Sequence, residues 1–311
     1  MYWINRRNFI RKTALVGLGA ASLGGGAVLA RPAAERRLVL LHTNDMHSRL
    51  DAFPSDGGKY QGMGGLEARA SVIQQIRDEG FPVLLVDAGD IFQGTPYFNI
   101  FKGAPEIASM TLMGYDAATP GSSDFSAGLA NLATQWKLAS FPMLACNYGV
   151  TETPLENILF PYHIIERGNL VIGVLGVGMD LKGRVPDGLI KGIEFRDPIK
   201  CVNETTSLLK KKGCELVVCL SHLGDYYKDG NISDAILARE NIGIDIIIGA
   251  QTHRFFQQPL KYVNKGGGDT LVSQMGWGGV QLGRIDYFFP KSGSTKTLKA
   301  NRVVLDKKKA E

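Results

Sequence analysis

Three of the five histidines in this 311-residue chain stand just past short apolar runs, each near a glycine or a carboxylate. The run at 38–42 is followed by Thr43-Asn44-Asp45-Met46-His47, and the run at 82–86 by Asp87-Ala88-Gly89-Asp90-Ile91-Phe92-Gln93-Gly94. The run at 215–220 leads into Ser221-His222-Leu223-Gly224-Asp225, and 245–248 into Gly249-Ala250-Gln251-Thr252-His253. Asp-x-His places a hard carboxylate oxygen and an imidazole two residues apart on one side of an extended turn, a donor set suited to a divalent transition metal. One such pair is weak evidence. Polar groups recurring after four apolar runs are stronger.

Those runs must be strands if the polar groups are to gather. Short β-like runs at 38–42, 82–86, 141–145, 170–177, 215–220, 245–248, 271–273 and 280–289 alternate with helical periodicity at 64–79, 105–113, 127–139, 197–212 and 233–241. In the first of these helices Leu66, Ala70, Ile73 and Ile76 form the apolar stripe. Alternation of this kind predicts an α/β fold, in which ligand sites collect at the carboxyl ends of strands. His42 lies inside a strand and reads as core, while His163 reads as surface or core.

Composition is that of a globular protein, with 44% hydrophobic and 21% charged residues. Four of the five formal positive charges fall on Arg6, Arg7, Arg11 and Lys12, so the remainder is nearly neutral and gives no footprint for nucleic acid. That basic segment precedes an uncharged Gly/Ala-rich run to Ala30 and resembles a twin-arginine export signal over residues 1–30, with Val28-Leu29-Ala30 as the cleavage site. An uncleaved anchor is the alternative. Residues 31–311 are then the mature domain, expected in the periplasm or outside the cell without stable membrane insertion. Cys146, Cys201, Cys214 and Cys219 contain no C-x-x-C pair, which excludes a zinc ribbon and leaves free thiols as the expectation.

The four segments together resemble a calcineurin-like metallophosphoesterase of the 5′-nucleotidase branch. That family runs Asp-x-His, Gly-Asp-x-x-x-Gly, Gly-Asn-His-Glu, a strand-end His, then Gly-His-x-His. Asp45-Met46-His47, Gly89-Asp90-Ile91-Phe92-Gln93-Gly94 and Ser221-His222 match the first, second and fourth blocks. The resemblance extends from about Leu38 to Phe289 and implies a four-layer α/β/β/α sandwich carrying two divalent metals (Zn, Mn, Fe or Mg). It implies a first site of Asp45, His47, Asp90 and His253, with Asp90 bridging to a second ion that His222 also holds. The reaction implied is hydrolysis of phosphate monoesters, with nucleotides as substrates.

Two blocks depart from the pattern. The third reads Gly121-Ser122-Ser123-Asp124, with Ser122 in place of Asn and Ser123 in place of His; in the fifth, Gln251 stands in place of the first His. A serine hydroxyl is a poor ligand for a dication and an amide carbonyl a fair one. A serine also cannot replace an imidazole as proton donor. The expectation is one tight ion, a degraded second site to which Gln251 and Ser122 contribute weakly, and Asp124 as a remnant of the acid that orients the missing histidine. The competing reading is a catalytically weak or inactive metal- or phosphate-binding relative acting as a partner subunit. The family's base-stacking C-terminal domain has no room after the last expected strand, so a separate chain would have to supply it. No Gly-x-Ser-x-Gly elbow surrounds Ser122 or Ser123, which excludes a serine nucleophile of that kind.

Overall fold

The structure, a computed structural model, describes residues 36–289 and 297–305. The signal-like segment and the lysine-rich tail at 307–309 lie outside the described residues.

Period-two burial builds the layers. In β1 (Arg36–Thr43), Leu38 and Leu40 belong to one buried cluster and Val39 and Leu41 to another. In β10 (Leu216–Ser221), Leu216, Val218 and Leu220 join the cluster that holds Leu38, whereas Val217 and Cys219 face a third. A strand buried on both faces in this way needs a layer on each side. The shared cluster fills the space between two sheets. Helices α1 (Leu66–Asp78), α3 (Ala104–Leu112) and α4 (Gly128–Trp136) cover the outer face of one sheet, and α5 (Pro198–Lys211) and α6 (Asp234–Glu240) that of the other. This is the four-layer α/β/β/α arrangement. The short α2 (Pro96–Phe101) precedes α3.

In the sheet that holds β1, β2 (Val83–Asp87), β3 (Ala117–Ala118), β4 (Met143–Leu144) and β6 (Leu159–Phe160) run parallel to it, while β14 (Gln281–Phe289) and β15 (Thr297–Val304) run antiparallel to their neighbours. Its strand order is β15-β14-β1-β2-β3-β4-β6. In the second sheet, β8 (Leu170–Val177), β10, β11 (Ile246–Gly249) and β13 (Asp269–Ser273) are parallel, edged by antiparallel β7 (Tyr162–Arg167) and β12 (Leu260–Val263). The order there is β12-β13-β11-β10-β8-β7. β5 (Tyr148–Gly149) and β9 (Glu194–Phe195) form a separate pair.

Local chemistry sets the boundaries. Helix α5 opens with the Asp197 carboxylate accepting from Lys200 N at 2.9 Å, has proline in its first turn and ends on Lys210 and Lys211, which suits the helix dipole. The stripe expected on α1 is corrected in part: Ala68, Arg69, Val72, Ile73 and Ile76 are its buried residues, with Leu66 and Ala70 only half-buried. Arg69 escapes a hydrophobicity count because it goes in with its Nη1 on the Met46 sulfur. His163 is exposed on the edge strand β7. All four cysteines are free. No helix among the described residues is long and apolar enough to cross a membrane.

Candidate metal centre

Parallel pairing aligns the strand ends. Thr43 lies opposite Asp87 and Ser221 opposite Gly249, so the loops after β1 and β2 leave together, as do those after β10 and β11. The first two loops are laced by Asp45 N to Gly89 O (2.8 Å), His47 N to Asp90 O (2.9 Å) and Ser48 N to Ile91 O (2.8 Å). Gln251 N donates to the Asp45 carboxylate at 3.0 Å and ties in the loop after β11. Asp45, His47, Asp90, Gln251 and His253 all adopt positive φ, between 49° and 71°. Non-glycine residues take that conformation at a cost, and such strain clusters at functional sites. Here it folds short loops tightly enough to turn their side chains inward.

The side chains of Asp45, His47, Asp90, His222 and His253 converge. His47 Nε2 lies 3.1 Å from His253 Nε2, and His253 Nε2 lies 3.5 Å from Asp45 Oδ1. Asp90 faces both halves, with Oδ2 at 3.8 Å from His47 Nε2 and Oδ1 at 3.3 Å from His222 Nε2. Ligand atoms of Asp45, His47 and His253 fall within 4.8 Å of one another, and so do those of Asp45, Asp90 and His222. Asp45 therefore belongs to both groups, whereas the family resemblance implies that sharing for Asp90.

His222 is fully buried, and its Nδ1–H donates to Ala88 O at 2.7 Å. That bond fixes the ring's orientation and leaves Nε2, which makes no hydrogen bond, aimed at Asp90. Burial works against a proton on this ring, yet the Asp90 carboxylate outweighs it and raises His222 to about 10. Burial likewise works against an ionised Asp90, but His222 and His47 hold it below the usual carboxylate range. His253 is raised by its bond to Asp45. The pocket thus draws positive charge to the space between its carboxylates and imidazoles.

This donor set fits divalent ions. Two imidazole nitrogens on one ion at zinc-like bond lengths stand about 2.9–3.4 Å apart, and the His47–His253 separation lies in that range. Gln251 Oε1 is also buried without a partner, a bare neutral oxygen on the residue whose backbone N–H holds the Asp45 carboxylate.

Gly121 closes the floor. Its backbone is extended, with φ −98°, but an added Cβ would come within 2.2 Å of Asp90 Oδ1 and 2.5 Å of His222 Nε2. The backbone there packs directly on both side chains, which only glycine permits. Ser122 and Ser123 are half-buried beside it, and Ser123 N donates to Asp90 Oδ1 at 2.8 Å. Asp124 sits differently from the expectation of an orienting acid. Its fully buried carboxylate accepts from Gly121 N (2.8 Å), Phe92 N (2.9 Å) and Asp90 N (3.0 Å), so it clamps two loops together. Burial pushes this carboxyl up to about 8, the Asp90 charge adding and the amides opposing.

Two residues that sequence reasoning missed hold the loops. Asn44, buried, bonds through Nδ2 to Asp45 Oδ2 and to Gly276 O, each at 2.7 Å. Asp87, fully buried and pushed up to about 7 by burial, accepts from Thr43 Oγ1 at 2.6 Å and Gly89 N at 2.8 Å. The second contact is an Asx turn, and Asp-Ala-Gly was its available signal.

A four-layer sandwich with acidic and imidazole groups gathered at its strand ends is the framework of a metal-dependent phosphoesterase. The sequence profile of the calcineurin-like phosphoesterases matches residues 38–255, and the chain belongs to that family, whose members use divalent metals. Among curated relatives, the snake venom 5′-nucleotidase of Gloydius brevicauda is 30% identical over 305 residues, covering 92% of this chain and 51% of its own length. The 5′-nucleotidase of Vibrio cholerae is 29% identical, covering 98% of this chain and 59% of its own length. The crystal structure of a 5′-nucleotidase precursor from Thermus thermophilus superposes with a TM-score of 0.78 at 27% identity, over 88% of this chain and 55% of that one. The chain spans about half the length of the curated relatives that head this comparison.

Proposed function

We propose that this protein hydrolyses phosphate monoesters, nucleotides among them, at a divalent-metal centre held by Asp45, His47, Asp90, His222 and His253, with Gln251 Oε1 as a weaker donor and Ser122 at its edge. The convergence of three imidazoles and two carboxylates at one set of strand ends carries this reading. Divalent ions bound there would supply the positive charge that stabilises a phosphoryl transition state and acidifies water. Asp45 and Asp90, set between the two halves, would offset repulsion between the ions. The bond from His222 to Ala88 keeps that ring's Nε2 directed inward.

Turnover by the natural sequence should be slow. Position 123 offers a hydroxyl where the family pattern has an imidazole, and Asp124 is committed to loop amides. These two features also favour the second reading, a weak or inactive relative that binds metal or phosphate as a partner subunit. In either case the protein is exported by the twin-arginine route.

Phosphate release separates the two readings. The mature chain, with its metals counted, is assayed against nucleoside monophosphates beside the variant Ser122→Asn, Ser123→His and Gln251→His. Slow hydrolysis by the natural chain and a gain of at least roughly 10²-fold in the variant are expected, the lower bound for regaining a general acid. A variant that binds two ions yet stays inactive would refute the hydrolase reading in favour of the binding subunit.

A further inference from the structure

The two halves of the candidate centre are oriented by different means. His222 is buried and anchored through Nδ1, whereas His253 has a side chain 40% exposed and no hydrogen bond at Nδ1 among the described residues. What meets the His253 ring is Trp277, with planes 14° apart and centroids 5.8 Å apart, an offset stack. Trp277 is itself wedged edge-on against Phe53 (5.5 Å, 88°) and Tyr60 (6.1 Å, 85°). None of these three rings belongs to a hydrophobic core of the sandwich. The cluster therefore does little to hold the sheets together.

The turn that carries Trp277 is tied to the centre from both sides. Asn44 Oδ1 accepts from Met275 N at 2.9 Å, Asn44 Nδ2 donates to Gly276 O at 2.7 Å, and Gly278 N donates to Asp45 O at 2.7 Å. The same Asn44 amide reaches Asp45 Oδ2. One buried side chain thus fixes the Asp45 carboxylate and the turn that lays an indole on His253.

We propose that Trp277 is a positioning residue for His253, held in register by Asn44, and that the 275–278 turn orients the exposed half of the centre as Ala88 orients the buried half. The inference rests on the metal-centre reading. Loss of an outer partner of a ligating histidine typically weakens metal affinity 10–100-fold. A planar face rather than bulk is what the geometry requires at position 277.

The test compares Trp277→Leu, which keeps bulk and loses the flat face, with Trp277→Phe, which keeps a face. Cobalt(II) is titrated into the metal-free mature chain by calorimetry. Trp277→Leu should weaken the His47–His253 half at least about 10-fold, and Trp277→Phe should stay within a few-fold of the natural chain. Unchanged affinity in Trp277→Leu, or equal losses in both variants, would overturn the proposal. A second measurement needs no metal. The His253 ring protons, shielded by the parallel indole, should move downfield in Trp277→Leu, and unmoved resonances would also overturn it. A natural chain that binds no cobalt would instead remove the metal-centre reading, while the resonances still decide whether Trp277 orients His253.

Discussion

Acid should weaken this fold through one residue outside the candidate centre. Leu38 and Leu40 of β1 point between the sheets, and the next residue on that face is His42. Its ring lies flat on Gly283 of β14, where a Cβ would meet Nε2 at 2.0 Å, and Nε2 reaches Ser273 Oγ in the other sheet at 3.1 Å. Nδ1 has no partner. Burial pushes the ring down to about 3 from 6.5, so the folded protein keeps it neutral while the unfolded chain takes up a proton as the pH falls below about 6.5.

The unfolded state then binds the extra proton between those two values. Stability is fully present above the unfolded pKa and is lost at up to about 1.4 kcal/mol per pH unit as the pH drops toward 3. Over the interval from about pH 7 to pH 5 this amounts to about 2 kcal/mol. Urea unfolding of the natural chain and of His42→Gln at both pH values isolates the contribution, because every other titrating group cancels in the difference. Glutamine reaches Ser273 and does not titrate. The natural chain should lose about 2 kcal/mol more than the variant over this interval. Losses equal to within roughly 0.5 kcal/mol, the ordinary scatter of independent sites, would show that His42 does not hold its neutral form in the core.

Two more expectations concern the centre. Gly121→Ala should lower stability by about 1–3 kcal/mol, as overpacking does, and should reduce bound metal by separating Asp90 from His222; an alanine variant with full metal content would mean that the floor relaxes at little cost. Asp45→Asn should release ions from both halves, because Asp45 belongs to both groups; retention of one ion per chain, measured by elemental analysis after dialysis, would restore Asp90 as the sole shared ligand.

The long elements are legible in the sequence because their periodicity is long. The apolar run at 170–177 is β8, Leu170–Val177, and α5 differs from its expected span by one residue at each end. Ala117–Ala118 carries no readable period at two residues, although it extends the first sheet beyond β2, whereas Met143–Leu144 falls inside the run expected at 141–145 and is shorter than it. The strand Thr297–Val304 escapes sequence reading because it is largely exposed and alternates weakly. At the centre, ligand-type residues show themselves through chemistry and spacing. Asn44, Asp87 and Trp277 do not, since their roles lie in contacts with backbone or with a ring distant in sequence. Asp124 misleads because its place in a motif suggests an orienting acid, whereas three amide donors make it a clamp.

The departures from the family pattern also carry a different weight once the loops are folded. By sequence, the half of the centre around His222 keeps two ligands, Asp90 and His222. The left-handed turn at Asp45 folds a third ligand, a second carboxylate, into that half, and Gln251, whose backbone N–H holds that carboxylate, has its Oε1 buried without a partner. Ion binding there depends less on the missing asparagine and histidine than a count of motif residues implies. No comparable substitute stands behind Ser123. Its backbone N–H is engaged with Asp90, its hydroxyl cannot carry an imidazole's proton, and the neighbouring carboxyl is held by Gly121, Phe92 and Asp90 amides. On the proposed hydrolase reading the deficit therefore lies in proton delivery to the leaving group rather than in holding the metals, and restoring an imidazole at 123 is the substitution on which recovered turnover should chiefly depend.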